Sequence, residues 1–408
     1  MRIDLVENGP PIERQMPPET GAALASSGLV SAVPSAVSGW WVIGPDGRVG
    51  VARVAGIELW VKPKLDIQRL FFLLGYALDG KGWRDEDLAL AEAPDLFTAL
   101  AEAFARQADR ALQQGLIQGY RVVEEALPVL RGRLREGEQM RRRFGLAVPI
   151  EVRYDDYSVD IAENQLLRSA AERLLRMPGL PKRTRQGLLR IVQRMADVSV
   201  LVRGQQLPTW QPSRLNVRYH VALRLAELVL RGGSVEQDSG IVHVNGFMLN
   251  MAKVFEDFLG VTLGAALTAY GGVCRPQDSW HLDEADQIRM KPDLVWYAES
   301  GAVAAVVDAK YKAEKPAGFP DADLYQMLAY CTALGLRRGH LVYAKGNEPT
   351  AMHVVRNVGV EIVQHALDLD QSPSNVLEQV AQLAGQIVGQ STDGPEFVLE
   401  VPRMRATR

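Results

Sequence analysis

The feature that most constrains this chain is a pair of short apolar runs that each carry an acid at one end. Asp293 opens the run Leu294–Tyr297, and Ala302–Val307 leads into Asp308-Ala309-Lys310-Tyr311-Lys312. Between them Glu299-Ser300-Gly301 has turn chemistry, so the two runs are predicted to pair as an antiparallel hairpin. Side chains alternate faces along a strand, which puts Asp308 and Lys310 on the same side. Antiparallel pairing then brings Asp293 beside them. Two carboxylates and an ammonium converging at a strand end suit a metal-dependent phosphodiesterase.

Helical patterns flank the hairpin. From Leu249 to Leu267 the positions Met251, Val254, Phe255, Phe258, Leu259, Thr262 and Leu263 form one buried stripe. Glu256 lies at the edge of that stripe and can face a site. Asp257 is on the far side, with Lys253 as its i−4 partner. A second helix is predicted over Ala322–Leu334, where Asp323, Gln326 and Tyr330 share one face. Strands are predicted at His340–Ala344, Met352–Val355 and Val358–Val363. Either Gly272–Arg275 or Trp280–Leu282 supplies the first strand. The expected order is therefore αβββαβ.

Mg²⁺ takes oxygen ligands and keeps several waters. Asp293 and Asp308 can supply carboxylate oxygens, and the Ala309 backbone carbonyl is a third candidate. Glu256 can hold a second metal or a water. A bound metal neutralises phosphate charge and lowers the pKa of its water. Lys310 can orient that water or stabilise the charge of the transition state. Gln326, Tyr330 and Lys312 are candidates for supporting or contacting the substrate. For Tyr330 the plainer reading is a packed aromatic, and for Lys312 a surface lysine.

The upstream chain reads differently. Residues 1–65 are β-rich, with strands expected at Gly39–Ile43, Val49–Val54 and Ile57–Val61 and a turn at Pro45-Asp46-Gly47. A Trp40–Arg48 hairpin is expected, with Trp40, Trp41 and Arg48 at its tip or both tryptophans in a barrel core. Helices are predicted at Ile67–Leu78, after an Asp66 N-cap, and from Pro94 to about Gln114. Residues 119–245 are expected to be mainly helical, with a strand near Val148–Arg153. Basic tracts at Arg131–Arg143 and Lys182–Arg194 are either phosphate contacts or ion-paired helix faces. The expected division is 1–118, 119–245, 246–390 and a tail over 391–408.

Composition narrows the function classes. With 47% hydrophobic and 23% charged residues, the chain can build large cores without staples. A net charge of −3 argues against a generally basic nucleic-acid coat but leaves room for a local basic cleft. The only cysteines, Cys274 and Cys331, lack metal-ligand spacing. Their apolar settings suit a reducing cytoplasm. Arg2, Asp4 and Glu7 break up any signal-peptide run, and no apolar stretch is long enough to span a bilayer. The six histidines are scattered, which disfavours zinc. There is no G-x-S-x-G elbow and no G-x-x-x-x-G-K-[ST] loop, so the chain itself is expected to bind no nucleotide.

Pro292-Asp293 with Asp308-Ala309-Lys310 resembles the P-D…(D/E)-x-K nuclease superfamily, and Gln326–Tyr330 resembles the Q-x-x-x-Y helix of its RecB-like branches. More narrowly, D-A-K-Y-K at Asp308–Lys312 and D-L-Y-Q-M-L-A-Y at Asp323–Tyr330 are similar to the McrC family of modification-dependent restriction systems. K-P-K at Lys62–Lys64, R-G-R-L at Arg131–Leu134, and the Tyr154–Leu167 segment extend the likeness upstream. The resemblance implies a multidomain α/β (α+β) chain with a restriction-endonuclease-like C-terminal domain. It implies Mg²⁺ as cofactor, with Mn²⁺ able to substitute, and cleavage of methylated double-stranded DNA. It also implies a hexameric McrB-like AAA+ GTPase partner that carries the nucleotide site and is docked through the β-rich region, with the Trp40–Arg48 hairpin and its Trp40, Trp41 and Arg48 as the expected docking element. Two other readings stay open: a non-catalytic adaptor that activates the GTPase, and a RecB-like repair nuclease acting alone.

Overall fold

The computed structural model describes residues 1–78, 95–202, 205–232, 244–311, 321–344 and 351–391. Lys312 and the 392–408 segment lie outside them. The chain folds as two compact units, each assembled from separated segments. One comprises Met1–Asp46, Gly50–Lys62 and Arg84–Leu249; the other comprises Gly47–Val49, Pro63–Trp83 and Asn250–Arg408.

In chain order the N-terminal elements are β1 (Arg2–Val6), β2 (Ile12–Gln15), α1 (Pro18–Ser26), β3 (Val30–Pro34), β4 (Trp40–Pro45), β5 (Arg48–Val54) and β6 (Ile57–Lys62). They build two sheets in place of the expected single barrel or twisted sheet: β2-β4-β3, and β1-β6-β5 with a later strand, β10 (Val244–Asn250). Strands β4 and β5 fall in different sheets, so the expected Trp40–Arg48 hairpin does not form. The Pro45-Asp46-Gly47 turn passes the chain from one sheet to the next. Trp40 pairs with Gln15, while Trp41 pairs with Arg14 and Pro34. Trp41 lies flat on α1: a Cβ at Gly21 would come 2.0 Å from its indole. That contact occupies Trp41, whereas Trp40 keeps 36% exposure.

Next come α2 (Ile67–Leu78) and α3 (Leu96–Leu112). Asp95 caps α3, accepting from the Thr98 amide and hydroxyl at 2.8 Å each. Its small alanines are almost all buried, so neighbouring helices pack close. The segment expected to be mainly helical opens with a sheet, which includes the strand predicted near Val148–Arg153, before its helices begin. β7 (Gly119–Leu127), β8 (Arg133–Leu134), α4 (Glu136–Arg143) and β9 (Ile150–Ser158) make a ribbon in which β7 and β9 pair over nine residues. The strand signal of β7 is masked in the sequence because no residue of that strand is buried and its apolar and charged residues do not alternate. Helices α5 (Ala162–Leu175), α6 (Lys182–Arg194) and α7 (His220–Gly232) follow and pack with α3.

The second unit is built on one six-stranded sheet. After α8 (Met251–Thr268) come β11 (Val273–Pro276), β12 (Trp280–His281), β13 (Arg289–Met290), β14 (Leu294–Tyr297), β15 (Val303–Lys310), α9 (Asp321–Leu334), β16 (Arg338–Ala344), β17 (Ala351–Val354), β18 (Glu361–Leu367) and α10 (Pro373–Ser391). The sheet order is β11-β14-β15-β16-β18-β17. Val273–Pro276 is thus the first strand, and Trp280–His281 pairs only with β13. β18 runs on to Leu367, past the predicted end at Val363, because Gln364 and His365 are buried polar groups that break the apolar pattern. β14 and β15 are antiparallel; β15, β16 and β18 are parallel. Helix α9 packs on one face, through Met327, Tyr330 and Cys331 against Val306, Leu341 and Ile362. Its close approach needs Gly339, where a Cβ would sit 2.4 Å from Met327 Sδ and 2.6 Å from Cys331 Sγ. Helix α8 covers the other face, near Leu294 and Cys274.

Candidate active site

The ladder of β14 and β15 ends at Leu294 paired with Val307. One residue further, the same register sets Asp293 opposite Asp308. Both acids then share a face with Val295 and Val306, the face that α9 covers. The Ala309 amide donates to Asp293 Oδ2 at 2.8 Å. A strand residue turns its N–H and C=O toward the same neighbour, so the Ala309 carbonyl also looks toward the Asp293 side.

Lys310 lies on the Asp308 face. Its ammonium forms an ion pair with Asp308 Oδ2, donates to Gln326 Oε1 at 2.8 Å, and lies 3.9 Å from Asp323 Oδ1. Only 13% of the side chain is exposed, so the charge depends on these partners. Gln326 passes the network on, donating to the Tyr330 hydroxyl at 2.7 Å. The Tyr343 hydroxyl donates to Asp323 Oδ2 at 3.2 Å. Tyr330 is buried in the core beneath α9, while Gln326 opens to solvent. Of the predicted site residues on α9, the structure brings Gln326 directly to Lys310 and reaches Tyr330 through it.

Glu256 sits on α8 within an ion pair to Lys253 at 2.8 Å; Lys253 also meets Asp257 at 2.9 Å. Glu256 is joined to Asp293 by a residue that sequence reasoning passed over. The Gln277 side chain donates to Glu256 Oε1 and to Asp293 Oδ1, the latter at 3.0 Å. No motif marks Gln277; the only signal is its place just after the first strand of the sheet.

The electrostatics are those of a site short of positive charge. Burial, reinforced by Asp308 and Glu256, pushes the Asp293 carboxyl up to about 7. Burial also raises Asp308, with Lys310 opposing. Tyr330 is pushed up to about 12 by burial and by the two aspartates. Asp308 Oδ2 is sealed from solvent and, apart from the Lys310 ion pair, accepts no well-angled hydrogen bond. Among the described residues no three carboxylate, imidazole or thiolate side chains close around one point. The Asp293 and Asp308 carboxylates and the Ala309 carbonyl are hard oxygen donors of the kind Mg²⁺ takes.

The sequence matches, over residues 44–344, the family model described as McrBC 5-methylcytosine restriction system component. The chain belongs to that McrBC family. No curated protein matches it. Among solved structures, a half-complex refined from a tetradecameric assembly of Thermococcus gammatolerans McrB AAA+ hexamers with bound McrC superposes with a TM-score of 0.58 at 17% identity. The match covers 95% of this chain and 100% of that one. A cryo-EM structure of the Thermococcus gammatolerans McrBC complex matches with a TM-score of 0.39 at 20% identity, over 65% of this chain and 88% of that one. The first likeness speaks for a shared multidomain fold of mixed helices and sheets. In this McrBC-family chain no described helix is long and apolar enough to cross a membrane.

Proposed function

We propose that the chain is the nuclease subunit of a GTP-dependent restriction complex that cuts methylated double-stranded DNA. Its second unit is read as a PD-(D/E)xK nuclease domain, in keeping with the order α8-β11-β14-β15-α9-β16. The observation that carries the reading is the meeting of Asp293, Asp308 and Lys310 at one strand end in an McrBC-family chain. Asp293, Asp308 and the Ala309 carbonyl would hold Mg²⁺, with Glu256 as an accessory group. When bound, the ion supplies Lewis acidity and a water of lowered pKa. Lys310, held by Asp308 and Gln326, presents its ammonium to the scissile phosphate and to the charge that builds on it. Gln326 anchors Lys310 and is the group nearest to arriving DNA. Tyr330 supports Gln326 from the core.

The partner is an McrB-like AAA+ GTPase, and we read its docking element on the ribbon, in place of the Trp40–Arg48 segment. Tyr120 and Tyr157 meet across β7 and β9 as a tilted ring pair with centroids 5.1 Å apart, and Phe144 is 83% exposed. Val122, Val129, Leu130, Leu146 and Val148 add further exposed apolar surface. A monomer rarely leaves so much apolar surface in one place uncovered. Most arginines of this ribbon are matched by acids, including Arg131 with Asp156 at 2.9 Å and Arg135 with Glu124 at 2.8 Å. That balance suits a protein surface better than a phosphate backbone.

The test is Asp308→Ala in the full chain, assayed with its GTPase on methylated DNA. Cleavage should fall by about 10³-fold or more, equivalent to about 4 kcal/mol of transition-state stabilisation, while the complex still forms. Wild-type cleavage by that variant would sink the nuclease assignment. Lost cleavage with GTPase stimulation intact would separate the two activities and exclude the purely adaptor reading.

A further inference from the structure

Gln277 follows β11 with φ of +52°, a left-handed conformation that few residues other than glycine and asparagine take readily. Its backbone N–H donates to the Asp293 carbonyl at 3.0 Å. Its side chain reaches Asp293 Oδ1 at 3.0 Å and Glu256 Oε1 as well. Both partners are carboxylate oxygens, so the NH₂ end of the amide must face them and both of its donors are engaged. The other oxygen of Asp293 takes the Ala309 amide. Each Asp293 oxygen therefore has one fixed donor and a lone pair left over. Glu256 takes both Gln277 and Lys253 on a single oxygen, Oε1. One side chain thus ties an acid on α8 to an acid at the start of β14, two elements that otherwise approach from opposite directions.

We infer that Gln277 is a positioning residue that sets Asp293 and Glu256 for a divalent cation without ligating it. Carboxylates that coordinate a metal are aimed by outer hydrogen bonds, and loss of such a bond weakens the metal more than the fold. The inference rests on the nuclease reading of this site. A competing explanation is that Gln277 only completes a left-handed turn. Glycine and asparagine satisfy such a turn equally well, and the amide of asparagine is one methylene too short to reach both carboxylates.

The full-length variants Gln277→Gly and Gln277→Asn separate these explanations. Mg²⁺ binding is read by calorimetry and by the Mg²⁺-induced rise in Tm, with cleavage measured alongside in the GTPase complex. Half-saturating Mg²⁺ should rise about tenfold in both variants, and added Mg²⁺ should restore cleavage. Unchanged Mg²⁺ binding in a folded variant overturns the inference. So does a loss of cleavage that saturating Mg²⁺ does not restore. If both variants lose the cooperative metal-free transition, Gln277 is a structural residue and the inference falls. Asp308→Ala and Asp293→Ala are measured in parallel. Undiminished Mg²⁺ binding in those two would overturn the nuclease reading itself, an outcome distinct from failure at Gln277 alone.

Discussion

On the β7–β9 ribbon, Arg131 meets Asp156, Arg135 meets Glu124 and Arg141 and Arg142 share Glu138, and most of these groups keep contact with water. At the end of β14 and β15, Lys310 meets Asp308 and Gln326 with little water left around either charge. The residue types are alike; the dielectric differs. Exposed pairs cost little to form and contribute about 0–1 kcal/mol each, so the ribbon can carry many of them while Tyr120, Tyr157 and Phe144 stay exposed to a partner. Burial, with Asp308 close by, raises the pKa of Asp293 to about 7 and leaves the cluster in want of a cation. A dense run of arginines therefore says less about chemistry here than one lysine between two acids.

The contrast can be broken first at Lys310. Lys310→Met should cut cleavage by about 10²–10³-fold at saturating Mg²⁺, measured in single turnover, with GTPase stimulation kept. A loss confined to Mg²⁺ affinity would instead make Lys310 a support for Asp308. Next in size is the ribbon. Tyr120→Ala combined with Tyr157→Ala should weaken binding to the GTPase by about 2 kcal/mol, roughly 30-fold in Kd, with Mg²⁺ binding unaltered. Titration of labelled GTPase hexamer would show it, and full-strength binding would return the docking role to another surface.

A pH dependence follows from Asp293. The folded protein holds this proton up to about 7, whereas an unfolded chain releases it near about 4. The folded state therefore binds the extra proton between those values, and its stability falls as pH rises through that window. The Tm of metal-free protein should climb as pH is lowered from about 7 toward about 4, and Asp293→Asn should flatten that slope. An unchanged slope in the variant would mean that Asp293 titrates normally. The smallest effect is expected at Trp40. Trp40→Ala should alter stability and GTPase binding by no more than about 0.5 kcal/mol, because the docking hairpin once expected there does not form.

Much of the candidate site was legible along the chain because its parts are local. Asp293, Asp308 and Lys310 lie on neighbouring strands of one hairpin, and strand alternation is enough to bring them to one face. Gln326 and Tyr330 were legible for the same reason, one helical turn apart. Gln277 was not, because it reaches Asp293 and Glu256 across loops whose path no periodicity describes. Half of the ribbon was hidden by its wetness: hydrophobic patterning reports burial, and β7 has none to report, whereas the start of β9, with Val152 buried, was legible. Helix α10 was passed over although Val376, Val380, Leu383, Ala384 and Ile387 keep helical spacing and are buried.

What the sequence determined by itself was local: the hairpin with its two acids and lysine, the helices capped and striped on either side, and the motifs by which the family is recognised. Tertiary structure decided which strands share a sheet, separating β4 from β5 and carrying β18 through Gln364 and His365. It also decided that Tyr120, Tyr157 and Phe144 stand in water while Asp308 and Lys310 do not. The physical reason is that pairing across long sequence distances and the dielectric around a charge both depend on everything that packs nearby, whereas alternation and helical spacing depend only on the neighbouring residues.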